Sequence, residues 1–211
     1  MNIALPKLYA ITDRKLSVLS HFEQVKRLVD GGAKLIQLRE KELLPGEWID
    51  DARRSLEYCR LHAVTLIVND RVDLAMVIDA DGVHLGQTDI PVEAARRLLG
   101  VDSIIGLSTH TLAQAKLAIT QSVDYIAFGP VFPTSTKIDP DPVVGLELLT
   151  EICRIAGSIP VVAVGGINRT NVDSVISAGA ASAAIISDLI SDPSNIELRT
   201  SEFIANLSNN V

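Results

Sequence analysis

Aromatic side chains, cysteines and basic residues are all scarce in this sequence, and each scarcity argues against a class of protein. Aromatic residues make up 4% of the chain, which disfavours a stacking platform for nucleic acid. The two cysteines, Cys59 and Cys153, are isolated and show neither metal-ligand nor disulfide spacing. No apolar run approaches the length of a membrane span, and no signal segment is visible. We therefore expect a cytoplasmic protein without membrane attachment.

The charge balance is acidic, with 19 Lys and Arg residues against 26 Asp and Glu residues and a formal net charge of −7. Because sequence-independent binding of nucleic acid relies on a basic surface, we expect no nucleic-acid partner. Any bound phosphate must then be held by a few local cations and by backbone donors. Each Lys or Arg near a glycine-rich loop is correspondingly informative.

Hydrophobic residues, by contrast, make up 47% of the 211 residues, which is enough for one sizeable core. Short β-branched runs alternate with longer amphipathic stretches, as in parallel strands joined by helices. The predicted strands span residues 8–12, 35–39, 65–69, 82–85, 104–108, 125–129, 161–164 and 183–187. The clearest helical patterns span residues 47–62, 92–99, 112–121, 146–155 and 196–207. We predict an α/β fold, a single (β/α)₈ TIM-barrel domain over residues 1–211.

Polar residues and glycines follow seven of the eight predicted strands, whereas the helix-to-strand junctions show no comparable set. In a barrel of this type, chemistry gathers at the carboxyl ends of the strands. The segment after the sixth strand, residues 131–144, is the longest connection and is rich in Pro, Thr and Ser. We interpret it as a substrate lid.

Cations and carboxylates among these strand-end residues indicate a diphosphate site. Arg39, Lys41 and Lys137 would supply positive charge, with Arg gripping phosphate oxygens through its planar fork. Asp70 and Asp89 follow adjacent strands and would share one Mg²⁺, which prefers oxygen ligands. Any one of these residues alone is more often a solvated charge or a helix cap. Their predicted convergence on one rim favours function.

Two further strand ends resemble a barrel phosphate site. Gly165 and Gly166 follow the seventh strand, and Ile186 and Ser187 close the eighth. Backbone N–H groups at such positions cradle phosphate in many barrels. The alternative is that the paired glycines only form a tight turn.

The four histidines do not indicate covalent or zinc chemistry. His21 and His62 lie in or beside helices without a partner at metal spacing, and His84 is expected to pack or to hydrogen-bond within the barrel. His110 lies near the rim and is given a supporting role at most. No Ser-His-Asp or Cys-His arrangement is visible.

Taken together, the strand-end segments resemble the thiamine-phosphate synthase family over nearly the whole chain. The combination of Gln37–Lys41 with Thr134–Lys137 is the most specific part. The other similar segments are Tyr9–Asp13, Asn69–Arg71, Asp81–Gln87, Gly106–Ser108, Gly129–Phe132 and Gly165–Ile167.

The resemblance implies a transferase that condenses hydroxymethylpyrimidine diphosphate with a thiazole phosphate. Thiamine phosphate and pyrophosphate would form by a dissociative mechanism with Mg²⁺ as cofactor. It assigns the catalytic charges to Arg39, Lys41 and Lys137, and the metal to Asp70 and Asp89. The pyrimidine diphosphate would be bound by Gln37, Leu38, Arg39, Glu40, Lys41, Asn69, Ser108 and Lys137. The thiazole phosphate would be bound by Thr134, Ser135, Thr136, Gly166, Ile186 and Ser187.

Two alternatives stay open at this point. A thiazole tautomerase shares the barrel and phosphate site but tends to lose the metal and diphosphate residues. A catalytically silent barrel would bind a thiamine precursor as a regulator. Both aspartates and all three cations are present here, which favours the synthase. One departure from the family pattern, residues 179–184, lies at the inner end of the eighth strand. The partners implied are small phosphorylated heterocycles, and a homo-oligomer is possible.

Overall fold

The computed structural model describes residues 4–134, 136 and 141–208, and in it eight parallel strands close into a barrel. Each strand pairs with the next in sequence, and the last pairs with the first through the register Leu8↔Ala183. The strands are β1 (Leu8–Ile11), β2 (Leu35–Leu38), β3 (Thr65–Asn69), β4 (Gly82–Leu85), β5 (Ile104–Thr109), β6 (Tyr125–Phe128), β7 (Val161–Val164) and β8 (Ser182–Ile185). The predicted (β/α)₈ barrel is confirmed.

Ten α-helices lie within the described residues. They are α1 (Arg14–Ser17), α2 (His21–Asp30), α3 (Pro45–Leu61), α4 (Val72–Ile78), α5 (Val92–Leu99), α6 (Leu112–Ala118), α7 (Gly145–Ala156), α8 (Val172–Ser177), α9 (Ser187–Ile190) and α10 (Ile196–Ser208). The predicted helix at 112–121 is therefore three residues too long. No bounds were predicted for α1, α2, α4, α8 and α9, although helical segments were expected before Gly31 and Gly179, where α2 and α8 lie.

The prediction for the eighth strand was wrong at its carboxyl end. The strand ends at Ile185 instead of continuing to Ser187, because Ile186 adopts φ −117° and ψ −82°, outside the extended region. Ser187 then begins helix α9. Ile186 and Ser187 therefore belong to a strand-to-helix turn at the rim, where their backbone N–H groups do not take part in the barrel.

Alternation along the strands separates two layers of core. Inward-facing side chains, among them Tyr9, Ile67, Tyr125 and Val162, fill the barrel interior, while their neighbours face outward and pack against the helices. Gly106 on β5 makes room for this filling. A Cβ atom there would lie 2.1 Å from Cζ of Tyr125, so the ring of that tyrosine occupies the space a side chain would need.

Within the described part of the chain, no helix combines the length and the apolar character needed to cross a membrane.

Candidate functional site

A cavity of about 520 Å³ opens at the carboxyl ends of the strands, and all eight strands or their following loops contribute to its lining. This is the rim at which the sequence predicted a site. The structure brings together in it most of the predicted site residues. Those that line the cavity are Gln37, Arg39, Lys41, Asn69, Asp70, Asp89, Ser108, Thr134, Thr136, Gly166, Ile186 and Ser187.

Two predicted residues do not present their side chains to this cavity. Leu38 is fully buried in the outer core, because side chains alternate along β2 and Gln37 takes the inward position. Glu40 is directed towards His21 instead. Neither Leu38 nor Glu40 belongs to the lining of the cavity. Ser135 and Lys137, also predicted, lie outside the described residues.

A continuous series of side-chain hydrogen bonds forms the floor of the cavity; its members line the cavity except Tyr125, which is buried beneath it. Nε2 of Gln37 donates to the hydroxyl of Tyr9 at 2.9 Å, and this hydroxyl lies 2.9 Å from that of Tyr125. The Tyr125 hydroxyl is 2.9 Å from Nδ1 of His84, whose Nε2 is 2.8 Å from Oγ of Ser108. The chain thus joins two predicted substrate-binding residues, Gln37 and Ser108, across the barrel.

The protonation state of His84 decides which group donates and which accepts in these hydrogen bonds. Burial lowers the pKa of His84 to about 4, so the ring is neutral at neutral pH. Burial also raises the pKa of the Tyr125 hydroxyl, which stays protonated. Because Tyr9 already accepts from Gln37, every bond is satisfied when Tyr9 donates to Tyr125 and each following group donates to the next. The Ser108 hydroxyl then keeps its own proton to donate into the cavity.

Asn69 offers an unused donor beside this floor. Its side chain is 8% exposed and lines the cavity, yet its Nδ2 has no hydrogen-bond partner among the described residues. A buried amide without a partner costs about 1–3 kcal/mol. A ligand with an acceptor at this depth would remove that cost, so the Asn69 amide fits a polar group of a bound heterocycle.

The residue after Asn69 places a carboxylate at the rim. Asp70 adopts φ 60°, a left-handed conformation that Asp tolerates better than most side chains. Its backbone N–H donates to the carbonyl of His84 at 2.8 Å, which fixes the turn after β3. The carboxylate forms an ion pair with Nζ of Lys41, a half-exposed side chain from the loop after β2. One predicted cation and one predicted metal ligand are therefore adjacent.

Asp89 lies beside Asp70 and is held by the turn after β4. Its Oδ2 accepts from the backbone N–H of Gly86 at 2.6 Å. The pKa of Asp89 is raised, first by burial and then by the neighbouring Asp70 carboxylate, although the Gly86 bond opposes this. Two neighbouring carboxylates that repel each other form a donor set suited to a hard divalent cation. The described residues contain no cluster of three His, Cys, Asp or Glu side chains for a metal, so ligand oxygens or water would complete the shell.

Arg39, the second predicted cation, is oriented by a carboxylate from the first loop. Its Nη1 pairs with Oδ2 of Asp13, a residue whose Oδ1 also caps helix α1 by accepting from the backbone of Lys15 at 2.9 Å. The Arg39 side chain is 19% exposed and lines the cavity. A guanidinium held in this way is pre-oriented towards an anion in the cavity.

Across the cavity from these charged side chains, the backbone itself lines the cavity at the glycine turn after β7. Gly166 has φ +64°, and a Cβ there would lie 2.4 Å from the carbonyl oxygen of Pro133. Its carbonyl accepts from Nδ2 of Asn171 at 2.9 Å, which fixes the turn after β7. No side chain caps the start of α9 at Ile186, so the first N–H groups of that helix are available. This part of the rim can hold an anion through backbone donors.

The sequence interpretation missed two residues of the cavity floor, Tyr9 and Tyr125. Both are among only three tyrosines in the chain, and each lies inside a predicted strand. Such a buried hydroxyl needs a partner, which could have marked both residues as members of a polar network. The prediction that His84 hydrogen-bonds within the barrel is confirmed.

Comparisons with known proteins agree with this geometry. A model of the family described as thiamine monophosphate synthase matches residues 8–189. A thiamine-phosphate synthase of Koribacter versatilis is 44% identical over 210 residues, which cover 96% of each chain. One of Methanocella arvoryzae is 47% identical over 185 residues, which cover 87% of each chain.

The fold comparison points the same way. The solved structure of a thiamine phosphate pyrophosphorylase from Pyrococcus furiosus superposes with a TM-score of 0.87 at 36% identity, covering 97% of this chain and 96% of that one. The family model covers most of the chain, and the relatives match it nearly end to end. The chain belongs to the thiamine monophosphate synthase family.

Proposed function

We propose that this protein is a transferase that condenses hydroxymethylpyrimidine diphosphate with a thiazole phosphate, forming thiamine phosphate and releasing pyrophosphate. The observation that carries the proposal is one cavity with cations and paired carboxylates on one side and free backbone donors on the other. The tautomerase alternative is not favoured, because the similar proteins are named as synthases. A tautomerase would also have no use for Asp70, Asp89 and the cations beside them.

The pyrimidine ring would bind over the polar floor. Ser108 has a hydroxyl proton to donate, and Asn69 has an unpartnered amide nitrogen. Gln37 donates its Nε2 to Tyr9, so its carbonyl oxygen can accept from an exocyclic amine. Donors and an acceptor at fixed positions would orient the ring so that its diphosphate extends towards the rim.

The diphosphate would lie between Arg39 and Lys41, with Lys137 as a further predicted cation. Asp70 and Asp89 would hold Mg²⁺, which when bound neutralises charge on the diphosphate. Lys41 and Arg39 would stabilise the negative charge that develops on the leaving group. Both cations are paired with carboxylates in this structure, Asp70 and Asp13 respectively, so they are already aimed at the cavity.

The thiazole phosphate would occupy the opposite side of the cavity. Backbone N–H groups near Gly166, Ile186 and Ser187 would bind its phosphate, and the hydroxyls of Thr134 and Thr136 would add donors. Ser135 belongs to this predicted set as well. The thiazole nitrogen would then face the pyrimidine carbon from which the diphosphate departs.

The residues support a dissociative reaction. The carbon–oxygen bond to the diphosphate breaks first, the pyrimidine ring carries the positive charge, and the thiazole nitrogen then supplies the electron pair for the new carbon–nitrogen bond. No protein nucleophile is needed, and His84 is neutral and engaged on both ring nitrogens. The segment 131–144, of which Thr134, Thr136 and Asp141 line the cavity, would exclude water as a lid.

Purified protein incubated with both substrates and Mg²⁺ tests the proposal through the rate of pyrophosphate release. Without the thiazole phosphate, no thiamine phosphate should form, and the pyrophosphate release that accompanies its formation should stop. Binding of the thiazole phosphate without any such release would reject the synthase and favour the tautomerase or a regulatory role. The acidic composition further supports a protein without a nucleic-acid partner. We also propose one domain over residues 1–211 and a cytoplasmic location.

A further inference from the structure

A buried histidine lies directly behind the loop that carries Arg39 and Lys41. His21 is the first residue of helix α2, is fully buried, and packs against Trp48 with ring centroids 5.0 Å apart. It does not line the cavity. The capping box of α2, made by Ser20 and Glu23, fixes the helix start and so fixes the position of this ring.

One ring nitrogen reaches the beginning of the loop. Nδ1 of His21 is 2.8 Å from Oγ1 of Thr12, and the backbone N–H of Arg39 donates to the same oxygen at 3.3 Å. Thr12 thus connects the ring to the backbone of a cavity cation. Since Thr12 is buried, water does not compete for these bonds.

The other ring nitrogen reaches the rest of the loop. Nε2 of His21 is 3.2 Å from Oε2 of Glu40, whose other oxygen accepts from the backbone N–H groups of Glu42 at 2.7 Å and Leu43 at 3.2 Å. Burial opposes ionisation of Glu40, but these N–H groups and His21 outweigh it, so the pKa of Glu40 is lowered. The ionised Glu40 side chain therefore fixes the loop backbone at Glu42 and Leu43.

The ring can satisfy both contacts in its neutral form. Burial lowers the pKa of His21, an effect that outweighs the nearby carboxylates of Glu40 and Asp51. In that form Nε2–H donates to Glu40, and Nδ1, 2.8 Å away, accepts the Thr12 hydroxyl proton in preference to the Gln37 carbonyl at 3.2 Å. Oγ1 of Thr12 still accepts from the backbone N–H of Arg39. The rigid ring of His21 therefore fixes both ends of the segment from Arg39 to Leu43, one through Thr12 and the other through Glu40.

We propose that His21 is a positioning residue for the diphosphate half of the site: through Thr12 and Glu40 it holds residues 39–43 in the shape that directs Arg39 and Lys41 into the cavity. The inference rests on the proposed function for the identity of the ligand. It assigns His21 no contact with substrate. Its loss should weaken diphosphate binding and leave the thiazole phosphate side unaffected.

Two substitutions of His21 separate this role from simple packing. The amide nitrogen of His21→Gln reaches the position of Nε2 and can still donate to Glu40, whereas that of His21→Asn lies near Nδ1 and cannot. We expect His21→Asn to raise KM for the pyrimidine diphosphate about tenfold and to leave KM for the thiazole phosphate within about twofold. His21→Gln should restore most of the loss. In calorimetric titrations with inorganic pyrophosphate and Mg²⁺, the wild type should bind most tightly, His21→Gln nearly as tightly, and His21→Asn most weakly.

Val25→Ala provides the matched control, because Val25 is buried in the same helix and belongs to the apolar core. It should lower the melting temperature without changing either KM. If His21→Asn does not fold, Glu40→Gln tests the same link, since a neutral acceptor binds the loop N–H groups less tightly, and pyrophosphate affinity should fall severalfold.

Wild-type pyrophosphate affinity in His21→Asn, or an equal rise in both KM values, would overturn the inference. A wild-type protein that releases no pyrophosphate would instead reject the proposed function. The titration with inorganic pyrophosphate would still decide the role of His21, because it requires no turnover.

Discussion

The hydroxyl oxygens of Tyr9 and Tyr125 lie 2.9 Å apart inside the barrel, although the residues are separated by 116 positions in sequence. Their rings meet edge to face, with centroids 5.9 Å apart. This contact is the second of the four hydrogen bonds that lead from Gln37 to Ser108. The cavity floor is therefore a polar network set into an apolar barrel interior, and every member depends on its neighbours for a partner.

Removing one hydroxyl from this network should destabilise the protein. Tyr125→Phe leaves Nδ1 of His84 and the Tyr9 hydroxyl without their shared partner in a buried environment. We expect the free energy of unfolding to fall by about 1–3 kcal/mol, measured by urea denaturation. Tyr58→Phe is the control, because that hydroxyl bonds to Asp30 at the surface, and its effect should stay within about 0.5 kcal/mol. Equal losses in the two variants would contradict a fully bonded floor.

Stability should decrease as the pH falls from about 6.5 towards 4. Burial lowers the pKa of His84 to about 4 in the folded state, so between these values the unfolded chain binds the proton more readily. The neutral ring therefore contributes stability that is fully present above pH 6.5 and is lost below it. The loss should approach about 3 kcal/mol for this one group.

Urea denaturation across that pH range provides the measurement. The variant His84→Gln should show a shallower slope of stability against pH than the wild type. His21, whose pKa burial also lowers, acts in the same direction and would account for part of the slope that remains. An unchanged slope in His84→Gln would mean that His84 does not contribute.

Replacing the rim carboxylate should change the metal requirement of the reaction. Asp70→Asn removes a proposed Mg²⁺ ligand and the anionic partner of Lys41. We expect the Mg²⁺ concentration for half-maximal pyrophosphate release to rise about tenfold or more, with a lower maximal rate. Asp73→Asn is the matched control, since Asp73 pairs with Arg71 on the exposed side of α4 and does not line the cavity. The same Mg²⁺ dependence in both variants would reject the proposed metal site.

A methyl group at the glycine turn after β7 should impair the thiazole phosphate side. The Cβ atom of Gly166→Ala would lie 2.4 Å from the carbonyl oxygen of Pro133, and the backbone has φ +64°. We expect KM for the thiazole phosphate to rise about tenfold or more, because the turn must shift to relieve the clash. KM for the pyrimidine diphosphate should change much less.

Gly157→Ala separates the effect of this clash from that of the dihedral angle. Gly157 has a similar φ of +61°, but nothing lies within 4 Å of a Cβ there, and it follows α7 away from the cavity. It should lower the free energy of unfolding by more than about 1 kcal/mol, because Gly157 has φ +61° and ψ −112°, without altering either KM. Equal KM values in the two variants would show that the Gly166 turn does not shape the phosphate site.

Most of the rim could be predicted before the structure was available. Parallel strands joined by helices place all their carboxyl ends at one face, so the polar residues after each strand had to meet there. Asp70 and Asp89, which follow β3 and β4, meet in this way. The end of β8 could not be placed, because the apolar pattern continues through Ile186 while the backbone turns away from the barrel.

Periodicity and connection length are enough to predict the number of strands, their parallel order and the face that carries the chemistry. The side of each strand that faces inward, by contrast, follows only from the folded barrel. Strands buried on both faces show no polar alternation, so nothing in the Leu35–Leu38 run shows that Gln37 points into the barrel while Leu38 packs against helices. The contacts of Tyr9 with Tyr125 and of His21 with Glu40 likewise depend on register, which barrel closure imposes.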